Sequence, residues 1–120
     1  ILYAFLYFKL IIFKLMLKKR ICKISQIEEK NYFITWVKEL RDEIIVFKNN
    51  NKIYIKSSIC PHFGGTISYD STQKNLFCYW HGLKFSIEGK CINNKNFKSC
   101  LNSYNFEIKG NYIYIVHENS

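Results

Sequence analysis

At 120 residues the chain has room for one domain, and its 48% hydrophobic and 18% aromatic content supplies a core and excludes a disordered chain. The formal net charge of +9 raises nucleic acid as a ligand, but the basic residues are scattered lysines, with Arg20 and Arg41 the only arginines. Such Lys enrichment, beside abundant Asn, Ile, Phe and Tyr, is the mark of AT-rich coding rather than of a phosphate-binding face. Nucleic acid is therefore set aside, and an acidic protein partner suits diffuse positive charge better.

Residues 1–17 are apolar but interrupted by Lys9 and Lys14, which falls short of the roughly 20 apolar residues of a spanning helix. The features of a secretory signal are also missing. Residues 1–20 are read as an apolar, basic N-terminal segment outside the domain. The favoured account is upstream sequence read through ahead of Met16, the only Met. Membrane-surface contact by residues 1–17 is the second, and a packed strand or helix the third.

A single domain follows over residues 21–118, all β in class. The one helical turn expected is Ser25–Lys30, with Ser25 as cap and Glu28 three residues on. Short runs rich in Ile, Val, Tyr and Phe between turn signals predict strands near 21–25, 32–38, 43–48, 52–57, 76–78, 84–87, 103–109 and 111–116. Asn49-Asn50-Asn51 and Gly110-Asn111 read as hairpin turns. In the run 103–109, Tyr104, Phe106 and Ile108 alternate with Asn105, Glu107 and Lys109, which predicts one buried and one wet face.

The chemistry lies between the fourth strand and the sixth. Cys60-Pro61-His62-Phe63-Gly64-Gly65 is followed, with fifteen residues between His62 and Cys78, by Cys78-Tyr79-Trp80-His81-Gly82. Each half offers one thiolate and one imidazole, a mixed donor set for a soft or borderline metal. The five cysteines are odd in number and two of them stand beside His, which argues for ligation over a disulfide framework and for the cytoplasm as compartment. A structural zinc site could use the same four residues, although common zinc fingers pair Cys with Cys and His with His. Chance burial of the four is the plainest alternative. Cys22, Cys91 and Cys100 are read as buried small apolar residues, His117 as a solvated side chain, and Phe63 and Trp80 as core aromatics or a water-excluding cover.

From about Ile21 to Val116 the chain resembles the Rieske family, on Cys-x-His, an interval of fifteen, Cys-x-x-His, and the flanking Pro61, Gly64 and Gly82. The resemblance implies stacked antiparallel sheets in a β-sandwich, with a small cluster-binding subdomain at about 57–91. It further implies one [2Fe–2S] cluster, with Cys60 and Cys78 on one iron and His62 and His81 on the other. Neutral imidazoles in place of two thiolates ease the uptake of an electron and raise the potential to roughly −150 to +300 mV. Respiratory Rieske proteins add a disulfide and Ser and Tyr donors, at positions held here by Gly65 and Trp80, and by Leu83 and Phe85. A low-potential centre is therefore expected, as in Rieske ferredoxins and ring-hydroxylating oxygenase systems.

No catalytic residue is assigned. With His62 and His81 engaged, only His117 is left, and a mononuclear iron site of two His and a carboxylate cannot be built. Nor is there a glycine-rich dinucleotide fingerprint. The chain reads as a redox component rather than a complete catalyst. It is expected to pass single electrons from a reductase to a terminal oxygenase. The alternatives are the N-terminal domain of a truncated oxygenase, or the small subunit of a nitrite reductase.

Overall fold

The computed structural model describes Ala4 and residues 16–118. Its strands are β1 (Met16–Lys23), β2 (Tyr32–Val37), β3 (Asp42–Asn49), β4 (Lys52–Ser57), β5 (Ile67–Asp70), β6 (Asn75–Cys78), β7 (Lys84–Phe85), β8 (Asn105–Lys109) and β9 (Tyr112–Glu118), with one helical turn, α1 (Ser25–Glu28). They form three antiparallel sheets, ordered β1-β9-β8, β2-β3-β4 and β5-β6-β7. The all-β, stacked-sheet expectation is met.

The middle sheet lies between two cores, and β3 serves both. Side chains alternate across a strand, so Ile44 and Val46 join Cys22, Ile27, Ile113 and Ile115 on one side. Ile45 and Phe47 join Ile67, Leu76 and Phe85, together with Cys60 and Cys78, on the other. All four β3 residues are fully buried, which is why the run Ile44-Ile45-Val46-Phe47 is continuously apolar rather than alternating. Each such side chain contributes about 1.5–3 kcal/mol relative to an exposed position.

The hairpin after β3 follows from its asparagines. Asn49 pairs with Lys52, and Asn50 and Asn51 both take positive φ, at 51° and 63°, a conformation Asn tolerates better than most residues. A buried carboxylate fastens the middle sheet to the segment before β8. Asp42 accepts hydrogen bonds from Ser57 Oγ and Tyr104 Oη. Burial, reinforced by that bond and by the charge of Asp42, pushes the Tyr104 phenol up.

Several expectations shift. The first strand starts at Met16, so Lys18, Lys19 and Arg20 belong to β1, which pairs with β9 from Met16↔Glu118 to Lys23↔Tyr112 around a bulge after Arg20. These cations suit an edge strand: Lys18 meets Glu107 at 3.0 Å, Lys19 meets Glu39, and Arg20 lies over the Tyr112 ring. The expectations for residues 1–15, other than Ala4, fall outside the described residues. Ser25 is not a cap: Ile24 holds that position without a side-chain bond, Lys23 N–H donates to Gln26 Oε1, and buried Ile27 holds the turn. In β8, Ile108 is exposed because the strand is an edge that runs past the core.

The strand β5 was not expected. Its residues Ile67, Ser68 and Tyr69 are all buried, so no alternation marks it; Tyr69 stacks on Phe47 and donates to Asn49 Oδ1. Of the remaining cysteines only Cys22 is buried, while Cys91 is half-buried and Cys100 exposed, since both lie in the irregular stretch after β7. His117 is half-buried, with its ring edge-on to Tyr104.

Candidate metal centre

Two short loops grow from the third sheet, and they share one construction. In the first, Cys60 N–H donates to Gly65 O and Gly64 N–H donates to Cys60 O, both at 2.8 Å. In the second, Cys78 N–H donates to Leu83 O at 2.9 Å and Gly82 N–H donates to Cys78 O at 3.1 Å. Each cysteine is thus clamped by the residue five further on and by a glycine four further on. Those glycines take φ of +80° and +68°, a conformation that residues with a Cβ rarely adopt.

This geometry sorts the four candidate ligands by depth. Cys60 and Cys78 are buried at 2% exposure, within the tip-side core. His62 and His81 are exposed, with ring centroids 5.2 Å apart and nearly perpendicular planes. Among the described residues no three His, Cys, Asp or Glu side chains gather round a single ion. The arrangement is two pairs, buried sulfur below and exposed imidazole above.

The sulfur pair lies under opposing influences. Burial pushes the Cys60 thiol up; the backbone N–H groups of His62 and Phe63 act against this, and the neighbouring Cys78 adds to it through a hydrogen bond and like charge. Amides aimed at a sulfur favour its thiolate form, while low dielectric and a second sulfur oppose it. A bound metal resolves the conflict, because coordination deprotonates a thiol outright.

Gly65 completes the cradle. A Cβ there would stand 2.8 Å from Cys78 Sγ and 2.9 Å from Trp80 Cγ, so only glycine leaves room for both the sulfur and the indole. The two positions that carry the extra cysteines of respiratory Rieske proteins therefore touch, but hold Gly65 and Trp80. Leu83 and Phe85 are buried and apolar, with no hydroxyl to offer a sulfur. The donor set, the aimed amides and the glycine cradle fit a [2Fe–2S] cluster.

Aromatic residues surround the imidazoles on the outside. Phe63 lies 4.0 Å from His62 and 4.9 Å from His81, and Phe97 lies edge-on to His62 at 5.4 Å. Phe63 and Trp80 are each 63% exposed, which overturns their reading as core aromatics and leaves that of a cover beside the site; Tyr79, 70% exposed, lies at the surface as well. The sequence reading missed the stretch 92–97. Ile92 N–H donates to Lys84 O, Asn93 Nδ2 donates to Gly82 O, and Asn93 Oδ1 accepts from Lys84 N–H. Asn93 thus braces the second loop, and Phe97 flanks His62. Neither has ligand chemistry, so no motif marks them.

A model of the Rieske [2Fe-2S] domain family matches residues 18–105, and the chain belongs to that family. Its members bind one [2Fe–2S] cluster and transfer electrons. The iron–sulfur subunit of menaquinol:cytochrome c reductase from Bacillus subtilis is 32% identical over 73 residues, covering 58% of this chain and 44% of the subunit. The chain thus spans less than half the length of this curated relative. The plasma membrane Rieske protein of Synechocystis PCC 6803 superposes with a TM-score of 0.67 at 18% identity, covering 80% of this chain and 96% of that one. The ferredoxin of carbazole 1,9a-dioxygenase from Nocardioides aromaticivorans IC177 gives 0.67 at 17%, covering 82% and 95%. Both share the fold. No helix among the described residues is long and apolar enough to cross a membrane.

Proposed function

We propose that the chain is a low-potential electron carrier of the ferredoxin kind. It takes single electrons from a reductase and delivers them to a terminal oxygenase in the cytoplasm. Cys60 and Cys78 would hold the buried iron, and His62 and His81 the outer one. When bound, the cluster supplies a centre that gains and loses one electron. The chain itself keeps water from the sulfurs with Leu83 and Phe85, aims the His62 and Phe63 amides at Cys60, and presents the two imidazoles to a partner.

The observation that carries this reading is the contact of Gly65 with Cys78 Sγ and Trp80. It leaves the cradle without a disulfide between the two loops, while Leu83 and Phe85 provide no hydroxyl. Fewer donors to the sulfurs leave the reduced cluster less stabilised, which lowers the potential. Iron and acid-labile sulfide analysis with EPR of the reduced protein tests the cluster; a single zinc without sulfide overturns the assignment. Redox titration tests the placement, and a midpoint above about +100 mV, in the upper part of the Rieske range, overturns it.

The identity with the menaquinol:cytochrome c reductase subunit favours a second reading, a quinol-oxidising subunit. The same titration separates the two. The fragment reading is tested by the coding DNA beyond Ser120, where a long open frame would carry the remainder of an oxygenase.

A further inference from the structure

The face around the imidazoles is neither uniformly apolar nor uniformly charged. Phe63, Tyr79, Trp80 and Ile92 are each more than half exposed and would form its apolar part. Beside Phe97, the ring that touches His62, a groove of about 500 Å³ is lined by Lys90, Lys95 and Lys98. Glu88 is the only acidic residue between Cys78 and Cys100. Its carboxyl is lowered mainly by hydrogen bonds from its own backbone and Ser86, with smaller contributions from Lys56 and Lys90. No ion pair among the described residues involves Lys95 or Lys98.

We infer that this face docks a protein partner whose own surface sets carboxylates beside an apolar patch. The apolar patch would cover Phe63 and Trp80, and the carboxylates would meet Lys90, Lys95 and Lys98. The inference rests on the electron-carrier reading, because it places the contact where His62 and His81 meet solvent. The lysine flank fixes the side from which the partner approaches. Apolar contact around the imidazoles excludes water, and the charged flank steers encounter and sets register. Part of the positive charge that the sequence scatters along the chain, Lys90, Lys95 and Lys98, thus gathers in one groove beside Phe97 and His62.

The test uses the cluster-loaded full chain, reduced with dithionite and mixed with two inorganic oxidants of opposite charge. These are hexacyanoferrate(III) and tris(1,10-phenanthroline)cobalt(III). Lys95→Gln/Lys98→Gln is compared with Lys18→Gln/Lys109→Gln, which removes the same charge from the distant β1-β9-β8 sheet. The tip pair is expected to slow the anionic oxidant roughly fivefold at low salt and to speed the cationic one, with both effects fading as salt rises. The distant pair should change either rate by less than twofold. Equal effects from both pairs, or none from the tip pair, overturn the inference while the EPR signal leaves the cluster reading intact.

A second measurement needs no electron transfer. Amide chemical shifts are followed during titration with a hexaglutamate peptide, with a duplex oligonucleotide as comparison. Shifts confined to residues 90–98 and lost in Lys95→Gln/Lys98→Gln support the acidic partner. Shifts spread over the chain, or tighter binding of the oligonucleotide at the same face, overturn it. A chain without a cluster in which the peptide still binds at 90–98 would fail the electron-carrier reading and keep the docking face.

Discussion

The two ends of this molecule solve different problems with the same strand chemistry. The base, made of the β1-β9-β8 sheet and the inner face of β3, buries Ile, Val and a single thiol, Cys22, and its pairing runs for seven residue pairs between β1 and β9. The tip has strands of two to four residues, two glycine-clamped loops, two buried cysteines, and large aromatics left in solvent. Ordinary apolar burial maintains the base. The tip gives up regular pairing to hold four side chains in fixed places. Departures from the pattern that makes a stable sheet are therefore concentrated at the site, as expected where function overrides local preference.

The comparison can be broken most severely at the sulfur pair. Cys78→Ser should abolish the visible and EPR signatures of the cluster while the far-ultraviolet spectrum of the base persists; a retained signal would remove Cys78 from the ligand set. His81→Cys should keep a cluster and lower its midpoint, because it adds a negative charge; an unchanged or higher midpoint would contradict the electrostatic account.

Next come the adjacent β3 residues that face opposite cores. Ile44→Ala and Ile45→Ala should each cost about 2–5 kcal/mol in urea unfolding. Only Ile45→Ala, which faces the cysteine-bearing core, should also reduce cluster retention. Equal retention in both variants would show that the two cores are not separate in effect.

Alkaline pH, read as the difference between wild type and Cys22→Ala, isolates the one thiol of the base core. Burial pushes the Cys22 thiol from 9.0 up to about 11, so the unfolded chain loses this proton first and wild-type stability falls as pH rises from about 9 to about 11. The share due to Cys22 is about 2–3 kcal/mol. Cys22→Ala lacks that share, so the stability gap between wild type and variant should narrow over the window; a constant gap would contradict it. The smallest effect is expected at Lys19→Ala, which removes an exposed ion pair with Glu39 and should leave Tm unchanged within error. A fall of several degrees would show that the edge of β1 matters more than exposure suggests.

Much of this was legible in the sequence. The four candidate ligands stand out because Cys and His at short spacing are rare by chance and carry their own chemistry. The Asn49–Asn51 turn and the strands around it follow from residues with strong local preferences. The elements that stayed hidden are held by tertiary contacts. β5 is buried at Ile67, Ser68 and Tyr69 alike, and so shows no period of two. The first half of β1 is basic and reads as a flanking segment, although Glu107, Glu39 and Tyr112 receive its charges. Asn93 and Phe97 serve the site through a backbone brace and a ring edge, which sequence spacing does not encode. Cys91 and Cys100 defeat the rule that free cysteine is buried because they lie in an irregular surface stretch.

The twin loops have a consequence for how such a domain can change. Each closes on itself through two backbone bonds, so each ligand pair carries its own local frame. The β5–β6 hairpin that separates them turns beyond Asp70↔Asn75, where Asp70 accepts from the Thr72 and Gln73 amides and no backbone bond of either loop is made. Residues inserted at that turn would lengthen the interval between the two motifs without altering either frame. The interval is therefore the part of the signature that can lengthen while the backbone bonds of both loops stay in place, which makes this turn the natural place to attach a tag, a probe or a further domain.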